Sequence, residues 1–108
     1  MGVYPSSAVA ELSRLEAVSL CPEIPLADYL QAMRLAENEA AARLEMPMLL
    51  SWYDRDRDFE APQHVSECHR DTATPGYIDY ALHRGASLMI DIELGRFVFF
   101  YLDAAREP

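Results

Sequence analysis

Residues Ala86–Leu102, ASLMIDIELGRFVFFYL, decide the fold. Leu88, Ile90 and Ile92 alternate with Ser87, Met89, Asp91 and Glu93, the period of a half-buried strand. Arg96–Leu102 is a second, more aromatic strand, and Leu94-Gly95 joins the two in a tight turn, so a β-hairpin is expected. Leucine tolerates positive φ poorly, so a type I turn with a glycine bulge competes with a two-residue loop. The second strand is apolar on both faces: Phe97, Phe99 and Tyr101 on one, Val98, Phe100 and Leu102 on the other. A sheet covered on one side has no use for this pattern. Either the N-terminal extension or a second subunit is expected to cover the other face, and a homodimer is the expected state.

Upstream of the hairpin, Thr74-Pro75-Gly76 reads as a helix start and Gly85 as its stop. Tyr77, Ile78, Ala81 and Leu82 supply its apolar face. Met48–Tyr53 is a short apolar-aromatic run of strand type. Leu26, Leu30, Met33, Ala36, Ala40 and Leu44 recur every three or four residues, which predicts a helix over 26–45. Ala8, Leu12, Leu15 and Val18 predict another over 7–19, stopped by Cys21-Pro22-Glu23-Ile24-Pro25. The expected fold class is therefore α+β, in the order α-α-β-loop-α-β-β. It has a small three-stranded, mainly antiparallel sheet with helices packed on one face. Residues 1–25 are expected to be an extension with a Pro-rich connector, and 26–108 a single domain.

A chain of 108 residues can bury a core without disulfides or metal. Its formal charge of −9 argues against a nucleic-acid binder, which needs a cationic surface, and against adsorption to anionic membrane. The same charge suits a basic partner or a bound cation. All basic residues are arginine, which removes Schiff-base lysine chemistry and a phosphate-loop lysine. The first twenty residues have neither a basic n-region nor an apolar h-region, and no apolar run approaches the length of a spanning helix. A cytoplasmic location follows as the expectation, with Cys21 and Cys68 reduced rather than bridged.

Between the first strand and the helix at Thr74 lies a long polar stretch, DRDRDFEAPQHVSECHRDTAT. So long a connection in so small a domain is usually there for a use. Its opening, DRDRD, alternates in sign and reads as a solvated turn. Further on, His64, Cys68 and His69 crowd together, with Asp71, Glu67, Asp58 and His83 as further donors. The His64-x3-Cys68 spacing suits a divalent metal if the segment turns helically. Cys68 beside His69 and Arg70 could instead be a reactive thiol, although Glu67 and Asp71 oppose its ionisation. The plainer reading is a polar loop whose imidazoles cap backbone groups. Trp52, Tyr53, Tyr77 and Tyr80 could line a pocket with Asp54 and Glu60 at its rim; the plainer reading is aromatic core at a sheet–helix interface. No nucleophile elbow or Gly-rich phosphate loop is present, so the sequence defines no reaction.

Two segments, LLSWYDRDRDFEAPQHVSECH (49–69) and TPGYIDYALHRGASLMIDIELGRFVFFY (74–101), resemble a small family of uncharacterised archaeal and bacterial proteins of the structural-genomics type, grouped as a domain of unknown function. The likeness runs from Leu26 to Leu102. It is most specific at Trp52-Tyr53-Asp54, Glu67-Cys68-His69, Pro75-Gly76-Tyr77 with Tyr80-Ala81, and Gly95-Arg96-Phe97-Val98-Phe99. It implies a compact α/β sandwich-like domain, with many relatives in anaerobes and no catalytic assignment. The chain departs from that pattern at its N-terminal extension and at Leu94, where a turn-forming Asp or Asn is usual.

Together these readings favour a non-enzymatic, homodimeric binding or assembly module whose long loop engages a protein or small ligand. The alternative is a metal- or thiol-dependent accessory protein for redox or sulfur handling, using His64, Cys68 and His69.

Overall fold

A computed structural model describes residues 15–62 and 76–106. Strand β1 is Glu16–Leu20, helix α1 Tyr29–Arg43, strands β2 and β3 Pro47–Asp54 and Phe59–Ala61. Helix α2 is Gly76–His83, strands β4 and β5 are Leu88–Ile92 and Phe97–Asp103, and a 3-10 turn spans Ala104–Arg106. The strands form one sheet in the order β1-β4-β5-β2-β3, with β1 parallel to β4 and every other pair antiparallel. The expected three-stranded sheet is thus corrected to a five-stranded mixed sheet. Glu16–Leu20, expected at the end of a helix, is a strand because its neighbour is β4: Val18 pairs with Ile90 and turns into the core. At Val18 helical spacing gives way to this tertiary pairing, as local propensity often does, and residues 7–14 of the expected helix lie outside the described residues.

The expectation of helices on one face is corrected too. One buried cluster joins Ala32, Ala36 and Ala40 of α1 to Val18, Leu88, Ile90, Ile92, Phe97, Phe99 and Tyr101. The other joins Tyr77, Ile78 and Ala81 of α2 to Val98 and Phe100, on the opposite face of β5. One helix on each side accounts for the doubly apolar strand within a single chain. Phe97, Phe99 and Phe100 are fully buried, and each contributes on the order of 2–3 kcal/mol of transfer free energy.

The elements have local causes. Asp28 caps α1 by accepting from the N–H of Leu30 (3.1 Å) and Gln31 (3.2 Å), and Gln31 Oε1 reaches back to accept from Ala27 N–H. Alanines four apart let α1 sit close on the sheet. Gly85, at φ +80°, stops α2 as expected, with Ala86 N–H donating to Ala81 C=O. Strand β2 carries a bulge at Leu50, where register shifts between Leu49 and Ser51. It puts Leu49 and Trp52 on the α1 side and Leu50 and Tyr53 on the α2 side, so strict alternation fails there. The β4–β5 turn runs through Glu93, Leu94 and Gly95 at φ 56°, 54° and 87°, closed by Arg96 N–H donating to Glu93 C=O. It is a left-handed turn with leucine at its tip. The Asp91 carboxylate helps to hold it by accepting from Gly95 N–H (2.6 Å).

Candidate functional site

Strand β2 divides the aromatic residues singled out in the sequence between the two faces of the sheet. On the α1 side, Trp52 stacks between Tyr29 (5.6 Å, 17°) and Phe99 (5.8 Å, 8°), with Phe59 tilted against it. Arg57 lays its guanidinium over Tyr29 (4.0 Å) and Phe59 (4.8 Å). Asp54 is buried: one oxygen accepts from Asp56 N–H (2.9 Å), the other from Arg57 Nε (2.7 Å). Asp54 is thus the internal tie of the β2–β3 turn.

On the α2 side, Tyr53 stacks on Tyr77 with ring centroids 5.0 Å apart and planes within 8°. Tyr77 meets Phe100 edge-on. The Tyr53 hydroxyl donates to Asp58 (3.0 Å). Burial, and then that carboxylate, raise the Tyr53 phenol above its ordinary pKa. Glu60 stands directly across from Tyr53 in the β2–β3 ladder. Tyr80 lies under the Arg84 guanidinium (3.8 Å). Tyr53, Glu60 and Tyr77 are therefore brought together on one face, Tyr80 sits further along α2, and Trp52 and Asp54 belong to the other face.

His64, Cys68, His69 and Asp71 lie outside the described residues. Their flanks are described. Ala61 pairs with Trp52, and the Tyr77 carbonyl accepts from Ser51 Oγ (2.7 Å). Ala61 and Tyr77, the described residues on either side of it, are therefore tied to neighbouring residues of β2 at the Tyr53–Tyr77 stack. Among the described residues no group of three His, Cys, Asp or Glu side chains is placed to hold a metal ion.

Sequence reasoning passed over Arg96. Its Nε and Nη2 donate to Asp56 (2.9 and 2.7 Å), and its Nη1 donates to Glu93 (2.7 Å) and to the Leu26 carbonyl (2.8 Å). Glu93 in turn accepts from Leu26 N–H. Hydrogen bonds to Asp56 and Glu93 raise the Arg96 pKa, and the same Arg96 bond lowers that of Asp56. One guanidinium thereby joins the β4–β5 turn, the β2–β3 turn and the entry to α1. The only sequence signal was the alternating-sign run Asp54–Asp58, which reads as solvated charge. At the other end of the sheet, buried Asp103 accepts from the N–H of Glu45 (3.3 Å), Met46 (3.1 Å) and Ala105 (3.1 Å). A polar hollow of about 330 Å³ there is lined by Glu16, Arg43, Leu44, Ser87 and Asp103. Arg43 is already engaged by Glu16 and Glu39, so the hollow offers no unpaired cation to an anion.

A mixed sheet with a helix on each face defines a small α+β domain. The chain belongs to DUF5619, a domain of unknown function, whose family model matches residues 15–101 and so takes in β1. The crystal structure of AF1514 from Archeoglobus fulgidus DSM 4304, described as a novel protein, is similar in fold. The two share 25% identity and a TM-score of 0.65 over 82% of this chain and 94% of that one. No curated protein matches the chain. No helix among the described residues is long and apolar enough to cross a membrane.

Proposed function

We propose that the domain is a cytoplasmic, non-enzymatic binding module that works as a homodimer and takes a basic partner on its α2 side. One observation carries the reading. Ala61 and Tyr77, which flank the stretch bearing His64, Cys68, His69 and Asp71 in the sequence, lie at a stacked tyrosine pair beside Asp58 and Glu60. Tyrosine faces and carboxylates together favour guanidinium or ammonium groups. A net charge of −9 steers such a partner inward.

The test is fluorescence anisotropy with a labelled oligo-arginine peptide, and an oligo-glutamate peptide as control. Saturable binding of the basic peptide alone is expected. It should weaken about tenfold, roughly 1.4 kcal/mol, when Asp58→Asn and Glu60→Gln are combined. A Glu37→Gln, Glu45→Gln pair removes the same charge elsewhere and should change binding much less. Equal loss in both pairs would reduce the effect to bulk charge and sink the assignment of the site. Stoichiometric divalent metal in protein purified without tag or chelator would favour the metal- or thiol-dependent reading instead.

A further inference from the structure

The two edges of the sheet are unlike. Strand β3 is three residues long and is followed by Pro62, which has no N–H to offer, so that edge is blunted. Strand β1 is five residues long, with no proline, lysine or bulge. On its inner side Glu16 N–H donates to Ser87 C=O, and Leu20 C=O accepts from Glu93 N–H. The residues between alternate, so Ala17 and Ser19 direct their main-chain groups away from β4. Both side chains are exposed and small. Among the described residues no strand pairs with this edge.

We infer that the β1 edge is the surface by which two copies of this chain associate, antiparallel about a two-fold axis at Val18, to make one continuous ten-stranded sheet. The inference rests on the dimeric part of the proposed function. The strand fits its own copy. In this register Ala17 and Ser19 form the hydrogen-bonded pairs with Ser19 and Ala17 of the other copy, giving four main-chain bonds. Val18, which closes the α1-side core at 9% exposure, meets its own counterpart. Glu16, the strand's only charge, faces Leu20 of the other copy and not a second carboxylate. Its charge is already matched by Arg43. That pairing also leaves the edge no unmatched carboxylate to draw a basic peptide, so a second copy is the better occupant.

The test is the mass of the intact chain in solution, by sedimentation equilibrium or light scattering over a wide concentration range. Wild-type protein is expected at twice its 12.2 kDa chain mass. Ser19→Pro removes an outward N–H that β4 does not use, so it should leave the thermal transition intact and shift the mass to that of one chain. Ala17→Lys, which places a charge on the edge, should do the same and serves if the proline variant does not fold. A wild-type monomer would overturn both this inference and the dimeric reading. A dimer that survives in a folded variant would overturn the β1 interface alone.

Discussion

The Tyr101 hydroxyl gives the sharpest test of the core. Tyr101 is 3% exposed, packs in the α1-side cluster, and its oxygen has no hydrogen-bond partner among the described residues. An unfolded chain gives that hydroxyl to water, so folding forfeits a bond, at roughly 1–3 kcal/mol. Tyr101→Phe keeps the ring and removes the orphaned group. The lost contacts of one oxygen amount to only a few tenths of a kcal/mol. The net expectation is a gain of about 1 kcal/mol at pH 7. In a domain this size that raises the melting temperature by roughly 4–8 °C. Alkaline pH supplies a second arm. Burial, and then the Glu37 carboxylate, push the phenol from 10.0 up to about 12. The unfolded chain releases this proton near pH 10 while the folded chain keeps it, so the contribution is complete below pH 10 and is lost between pH 10 and 12. A shift of that size corresponds to roughly 2–3 kcal/mol over the window. Urea titrations of wild type and Tyr101→Phe at pH 7 and pH 11 read both arms, and the variant's advantage should widen at the higher pH. A variant less stable by 1 kcal/mol or more at pH 7, or two parallel pH profiles, would refute the argument.

Two further outcomes follow from the ends of the sheet. Asp103→Ala strips the acceptor from three backbone N–H groups and should cost about 2–3 kcal/mol, read as a lower urea midpoint at unchanged slope. Loss of less than half a kcal/mol would mean that those groups are satisfied without the carboxylate. Leu94→Asn should raise stability by about 1 kcal/mol, because asparagine tolerates the left-handed backbone at φ 54° and Leu94, at 80% exposure, has little packing to lose. A lower midpoint in that variant would show that the leucine side chain has a contact worth more than the strain.

The parts of the fold that were legible are those with local causes. The β4–β5 hairpin follows from strict alternation over Leu88–Ile92, and α1 from apolar residues every three or four positions. Strand β1 was not legible, because its partner lies 72 positions away (Glu16 against Leu88) and nothing near Val18 announces a parallel neighbour. Strand β3 is too short to show a period. The bulge at Leu50 leaves no mark in the sequence, yet it decides which way Trp52 faces. The two apolar faces of β5 were seen correctly, but they reflect two helices of one chain. Alternation along the strand sets Trp52 and Tyr53 on opposite faces, and the structure keeps them there, with Leu49 in place of Leu50 on the Trp52 side. Arg96 was not legible: its partners Asp56, Glu93 and Leu26 come from three separate loops.

The parallel pairing of β1 with β4 also sets a timetable for synthesis. A ribosome adding ~5–20 residues per second takes about 4–14 s to make the residues between Glu16 and Leu88. Strand β2 and helix α1 are complete well before then, and β5 follows β4 within about 0.5–2 s at that pace. The first of the described strands to leave the ribosome is therefore among the last to be seated, and for those seconds the nascent chain carries β1 unpaired, with Val18 still outside the core. Slowing translation between the two would lengthen that exposure without altering the finished domain, so the yield of folded protein should fall with the delay.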